Sequence, residues 1–347
     1  MSEQRRRILI IYTGGTIGMI SNPKTGSLHP IDFENLRLHV PELQEFDYEI
    51  LSHQFHPPVD SSDMCPELWA RLANIIAEHY ERVDGYVILH GTDTMAYTAS
   101  ALSFMLGGLS KPVVLTGSQL PIGMLRTDGK ENLINAIEYS AATRPDGMPL
   151  VPEVTVCFGQ YLYRGNRVTK VSAEGFNAFT SYNFPPLATA GVNIHYNLPL
   201  INKPCANQLT PHYELDNSVI VITLFPGILP DIISRVFALP EVRGIVLRTF
   251  GSGNAPRQRW LTDAIRHATD EGKTVVNITQ CDAGAVAMGL YDTGNQLQQA
   301  GVISGGDMTI ECAVTKLMYL LGQGLPPSEV RQLMATSLAG EITEDEG

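Results

Sequence analysis

The sequence predicts an α/β protein whose main body is a mostly parallel, doubly wound sheet, followed beyond a linker by a second α/β set. Three observations carry that expectation. The apolar run Ile8-Leu9-Ile10-Ile11-Tyr12 stops at Thr13-Gly14-Gly15-Thr16, which reads as a buried strand ending in a tight turn. The same order of strand, small-residue turn and amphipathic helix recurs at Gly85–Leu89 and again at Pro112–Thr116. A further set of apolar runs, 219–224, 244–249 and 274–280, alternates with helical patterns around 260–270 and 309–321.

Taken in order, the first turn leads into Ser21-Asn22-Pro23-Lys24-Thr25-Gly26-Ser27, a polar stretch that reads as a surface loop. Residues 48–55 alternate like a strand and run into Pro57-Pro58-Val59-Asp60-Ser61-Ser62-Asp63. Leu68, Leu72, Ile75, Ile76 and His79 then recur at helical spacing between Pro66 and Arg82, with Ser62 or Asp63 expected as the cap. A helix following His90-Gly91-Thr92-Asp93-Thr94 ends at Gly107-Gly108, and another starts near Asp128. Between 196 and 217 periodicity dissolves into Pro, Asn, His and Lys. That gives domains 1–195 and 218–347 joined by a linker over 196–217. The acidic end, 341–347, is expected to fray.

Composition narrows the function. At 347 residues and 44% hydrophobic, the chain can bury a large core. A formal net charge of −12 argues against a nucleic-acid partner. Cys65, Cys157, Cys205, Cys281 and Cys312 are scattered and odd in number, which suits reduced thiols better than disulfides or zinc. The basic start, Arg5-Arg6-Arg7, precedes an apolar run only a strand long. No signal peptide or membrane partner is expected, and cytoplasmic residence follows. His53 and His56 lack further ligands at metal-site spacing, so no metal is assigned.

Three strand-end turns carry hydroxyl, amide or carboxyl side chains: Thr13/Thr16, Thr92/Asp93 and Ser118/Gln119. In a parallel sheet such ends share one edge, where ligands bind, and Asp60, Ser61 and Ser62 can join them there. A hydroxyl attacking a carbonyl needs a base, an oxyanion stabiliser and a means of fixing the substrate. Plainer readings stand beside this one. Thr92 and Asp93 fit a helix cap, Ser61 and Ser62 fit another, and Lys170 fits a solvated basic loop. His90 fits a packing role behind the turn. Gly14-Gly15-x-x-Gly18 also admits a phosphate turn, although the dinucleotide spacing is missing and the paired threonines would go unexplained.

Thr13-Gly14-Gly15-Thr16-Ile17-Gly18 together with His90-Gly91-Thr92-Asp93-Thr94 closely resembles the paired signatures of the bacterial-type asparaginases, and Arg167-Val168-Thr169-Lys170 resembles a third element. The resemblance covers almost the whole chain and is nearest the cytoplasmic type I L-asparaginases. It implies a larger N-terminal and a smaller C-terminal α/β domain, assembled as a homodimer or homotetramer. The implied reaction is hydrolysis of L-asparagine to L-aspartate and ammonia through an acyl-enzyme, without cofactor. Thr16 matches the nucleophile, and Thr92, Asp93 and Lys170 match a hydroxyl–carboxylate–lysine relay. Asp60, Ser61, Ser62, Thr92, Asp93 and Ser118 match the substrate-binding positions. The amidase module of the archaeal-type tRNA amidotransferases resembles the same signatures, but it normally carries an extra N-terminal domain, and only seven residues precede the first apolar run here.

One departure concerns activation of the nucleophile. Family members usually carry a tyrosine in the loop after the first signature, where this chain has Ser27 and no tyrosine. Lys170, a tyrosine from elsewhere or a water is left to serve. A second expectation concerns an effector. Arg248 ends one strand of the later set, and Thr279, Gln280 and Cys281 end the next. If the strands are parallel neighbours, a guanidinium faces amide and hydroxyl groups and can clamp a carboxylate. Those positions match where the type I family, associated with cooperative dependence on asparagine, is thought to bind it. Pairing of Arg248 with a structural acid is the competing reading.

Overall fold

The computed structural model describes residues 5–21, 28–30, 32–205, 208–290 and 292–344. The chain divides into two compact units, Met1–Ser181 with Pro185–Tyr213, and Tyr182–Phe184 with Glu214–Gly347.

The first unit is built on an eight-stranded sheet. Its strands are β1 (Arg6–Tyr12), β2 (Tyr48–Gln54), β3 (Gly85–Leu89), β4 (Val113–Thr116), β5 (Val154–Phe158), β6 (Tyr161–Arg164), β7 (Ala188–Ala190) and β8 (Ile194–Tyr196). They lie in the order β8-β7-β6-β5-β4-β3-β1-β2, and β2, β1, β3, β4 and β5 run parallel. β3, β4 and β5 are buried throughout, which explains their unbroken apolar runs. At the edge, β2 is only half-buried. The parallel strands thus run 2-1-3-4-5, and the order reverses between β1 and β3. The crevice beyond the carboxyl ends of those two strands is where such sheets take ligands.

Helices α1 (Pro66–His79), α2 (Met95–Met105) and α3 (Gly129–Ala141) cover the sheet. The expected cap of α1 is displaced. Pro66 occupies its first turn, so extended Cys65 precedes the helix without a side-chain cap. Ser61–Asp63 instead forms a separate 3₁₀ turn capped by the Asp60 carboxylate. The stretch 196–217, read as a linker, counts with the first unit as far as Tyr213. There Thr210–Pro211 pairs with Leu106–Gly107 at the exit of α2, and His212 N–H donates to Met105 O.

The second unit holds four parallel strands in order: β9 (Val219–Thr223), β10 (Gly244–Thr249), β11 (Thr274–Thr279) and β12 (Ile303–Ser304). Its core gathers Phe237, Ile245, Leu247, Leu261, Ile265 and Val275 under α4 (Pro230–Ala238) and α5 (Arg259–Asp270). Asn183 explains why 182–184 counts here. Its amide group accepts from Gly284 N–H at 2.8 Å and donates to Gly284 O and Asp307 O.

The expected fraying of the acidic end does not hold for Glu341 or Thr343. α6 (Ile310–Gly322) carries Lys316 fully buried, and its Nζ lies 2.5 Å from a carboxylate oxygen of equally buried Glu341. Glu341 also accepts the Leu338 and Ala339 N–H groups, while Thr343 donates twice to the Asp307 carboxylate. A lysine buried in an apolar helix demands a counter-charge, and the terminal segment supplies it. Residues 345–347 lie outside the described residues.

Candidate active site

The loops leaving β1, β2 and β3 are pressed together. Gly15 has φ +89°, and a Cβ there would stand 2.5 Å from the Gly91 backbone nitrogen. A Cβ on Gly91 would stand 2.4 Å from Ser61 Oγ. Thr16 and Thr92 each follow one of the touching glycines, so the close approach brings the two threonine-bearing turns side by side at the switch point. Thr13 is turned inward, its hydroxyl donating to Leu89 O at 2.9 Å. Thr16 begins a 3₁₀ turn and is half-buried, and its hydroxyl has no hydrogen-bond partner among the described residues. Tyr12, at the end of β1, donates to Gly18 O and braces that turn. Burial pushes its phenol up to about 12. Ser27 and 22–26 lie outside the described residues.

Lys170 joins the second turn. Its Nζ donates to Thr92 Oγ1 at 2.8 Å and to Asp93 Oδ1 at 2.6 Å. Thr92 is buried, Lys170 largely so, and the Asp93 carboxylate stands mostly in solvent. A short antiparallel pairing of Thr169–Lys170 with Phe179–Thr180 presents the lysine. The three side chains expected as a relay therefore form one connected group.

The remaining expected substrate positions are held differently. Buried Ser61 offers its carbonyl to the Thr94 hydroxyl at 2.6 Å. Asp60 accepts from both Ser62 N–H and Ser62 Oγ, which holds its carboxyl below the usual range. These bonds make Asp60 the support of the serine turn. Ser118 is buried and spends its hydroxyl on Leu120 O at 2.5 Å.

Behind the second turn His90 is completely buried. Its Nδ1 faces Gly91 O at 2.7 Å, while its Nε2 faces Thr98 Oγ1 at 2.9 Å, and Trp69 Nε1 donates to that same hydroxyl. A carbonyl only accepts and an indole only donates, so Nδ1 carries the proton and Thr98 donates to Nε2. Burial lowers this imidazole to about 4, in keeping with the packing role expected of it.

Gln119, named from sequence at the third strand-end turn but given no role there, reaches Thr92, its Oε1 accepting the threonine hydroxyl at 3.3 Å. Asp128, at the start of α3, receives the Gln119 and Leu120 N–H groups in its carboxylate at 3.0–3.1 Å. An acid opening a helix next to a strand-end turn was the available signal. Among the described residues no group of three or more His, Cys, Asp and Glu side chains is placed to hold a metal ion, and no helix is long and apolar enough to cross a membrane.

In the second unit, β10 and β11 are parallel neighbours, as the effector expectation required, with Thr249 opposite Thr279. Thr279 donates to Gly251 O at 2.6 Å and accepts Cys281 N–H, while the Gln280 amide donates to Leu224 O and Arg248 O. These side chains frame the loop. Arg248 is half-buried, and its Nε is shielded without a hydrogen-bond partner among the described residues.

Comparison with known proteins completes the picture. The family model described as asparaginase, N-terminal, matches residues 7–202, and the glutaminase/asparaginase C-terminal domain matches 218–334. The chain is 46% identical to L-asparaginase 1 of Escherichia coli K12, covering 99% of this chain and 100% of that one. It is 43% identical to the mouse 60 kDa lysophospholipase over 97% of this chain and 63% of that protein. The crystal structure of L-asparaginase I from Vibrio cholerae superimposes with a TM-score of 0.90 at 44% identity, covering 98% and 100% of the two chains. With both family domains in sequence and the threonine, carboxylate and lysine side chains drawn together at the sheet's switch point, the chain belongs to the asparaginase family.

Proposed function

We propose that this chain hydrolyses L-asparagine to L-aspartate and ammonia by acyl transfer through Thr16. The observation that carries the reading is Lys170 Nζ lying within hydrogen-bond reach of both Thr92 Oγ1 and Asp93 Oδ1, next to the turn that presents Thr16. Thr16 Oγ attacks the side-chain amide carbon, and the C–N bond breaks as the nitrogen takes a proton and leaves as ammonia. Water then attacks the β-aspartyl ester, releasing aspartate and restoring the hydroxyl. Thr92, Lys170 and Asp93 move protons for these steps, and backbone N–H groups of the glycine turn stabilise the oxyanion. Ser61, Ser62 and Asp93 fix the α-carboxylate and α-ammonium groups. The E. coli and V. cholerae relatives support the substrate, and assembly into homodimers or homotetramers is part of the same reading. Ammonia release from asparagine and glutamine by the purified chain tests the reaction. Trapping of an aspartyl hydroxamate by hydroxylamine tests the ester.

Arg248 favours a second, regulatory reading. Its partnerless Nε at the carboxyl edge of β10 suits a carboxylate ligand, which we take to be asparagine acting as effector. Preferential binding to the active state requires a coupling of about 1–3 kcal/mol. The rate should rise sigmoidally with asparagine, and Arg248→Ala should change the curve's shape or midpoint. A hyperbolic curve untouched by the substitution reduces Arg248 to scaffolding.

A further inference from the structure

The orientation of Gln119 is settled by its neighbours. Its Nε2 faces two backbone carbonyls, Gly175 O at 3.1 Å and Ser172 O at 3.4 Å. Carbonyls only accept, so the NH₂ group must point to them and Oε1 must point to Thr92. Thr92 is then obliged to donate its one proton to Gln119 Oε1 while accepting from Lys170 Nζ. A relay that activates Thr92 needs the opposite arrangement, with that proton directed at the lysine. In this geometry the proton is turned away.

We propose that the Gln119 side chain is an internal stand-in for the substrate, a carboxamide resting on Thr92 that holds its proton away from Lys170 until asparagine displaces it. The proposal rests on the asparagine-hydrolysis reading. The chemistry matches, because glutamine's side chain and the scissile group of asparagine are both primary carboxamides. The distances match as well. At 3.3 Å the contact to Thr92 is long for a hydroxyl donor, whereas the Gln119 backbone is pinned by Asp128 at 3.0 Å. The main chain is fixed, and the side chain is the part that can swing away. Its departure gives up the contacts to Ser172 O and Gly175 O, two and five residues past Lys170. Gln119 is thus a positioning residue, and its resting contact lowers apparent affinity by the fraction of time that it occupies the site.

Removing the carboxamide should relieve that penalty. In Gln119→Leu, the asparagine concentration at half-maximal rate should fall roughly threefold to tenfold, with kcat changing less than KM. Affinity for L-aspartate, measured by calorimetry and independent of turnover, should tighten by the same factor. In Gln119→Glu, an ionised carboxylate keeps the acceptor facing Thr92 and adds a negative charge near the Lys170 ammonium bound to that threonine. Half-saturation should therefore climb with pH as the new carboxyl ionises, against a wild-type control measured over the same range. Unchanged or weakened aspartate binding in Gln119→Leu overturns the stand-in, as does a Gln119→Glu pH profile that follows the wild type. A wild-type chain that releases no ammonia from asparagine overturns the hydrolysis reading and this proposal together. An active wild type with unresponsive variants overturns this proposal alone.

Discussion

Gly15 and Gly91 pass so closely that a Cβ on the first would stand 2.5 Å from the backbone nitrogen of the second. This contact between the ends of β1 and β3 sets the spacing of the two threonine turns. Gly15→Ala combines a left-handed backbone with a clash against main chain that cannot rotate away. It should cost about 1–3 kcal/mol of stability and most of the activity. Urea denaturation and an ammonia assay check both, and a variant of wild-type activity would show that the spacing is dispensable.

Thr16→Ala should lower kcat by roughly 10³-fold or more while leaving the melting temperature close to wild type, because its hydroxyl has no hydrogen-bond partner among the described residues. Hydroxylamine should trap no aspartyl product from this variant. Near-normal turnover would move the nucleophile elsewhere.

Thr92→Val and Lys170→Met should each approach the Thr16→Ala loss, since members of a relay fail as a unit. Lys170→Met should be inactive at every pH at which the fold survives. If Thr92→Val raises KM alone, Thr92 binds substrate and relays nothing.

His90 makes the fold sensitive to acid. Unfolded, its imidazole titrates near 6.5, whereas in the fold burial holds it at about 4. Between those values the unfolded chain takes up a proton that the folded chain refuses. Stability should be fully present above pH 6.5, fall by on the order of 3 kcal/mol toward pH 4, and level off below. His90→Gln should flatten that part of the profile in denaturation measured at stepped pH. A slope unchanged by the substitution would assign it to other groups.

Glu341→Gln should destabilise the second unit by about 3–5 kcal/mol, because it strands the Lys316 ammonium in a fully buried position. Replacing both residues together, as Lys316→Met with Glu341→Leu, should recover much of the loss in chemical denaturation. Equal costs for the single and double variants would show that the pair contributes no coupling.

The grouping of polar side chains in the first unit was legible because they stand where apolar runs stop. Thr16, Thr92 and Asp93 each sit three or four residues past a buried strand, and parallel strands deliver such positions to one edge. What stayed hidden depended on partners distant in sequence. Gln119 meets Ser172, Gly175 and Thr92, and no spacing rule links those positions. Glu341 reads as part of a solvated acidic end until Lys316 is seen buried within α6. Asp60 is expected beside the substrate, and the turn that it also caps is written in the adjoining Ser61-Ser62-Asp63.

The strand order also dictates a folding schedule. β1 is flanked by β2 on one side and β3 on the other, with Tyr12 in register with both Gln54 and Leu89. A chain emerging from its N-terminus reaches the edge partner β2 well before the central partner β3. Until residues 85–89 arrive, the inner flank of β1 is an unpaired row of backbone donors and acceptors on an apolar strand, open to the wrong neighbour. Parallel pairing over such separations is slow. The crevice beside the threonines therefore coincides with an exposed seam of the nascent chain; its closing by β3 brings the Thr16 and Thr92 turns together, and Lys170 joins them only after 169–170 pairs with 179–180.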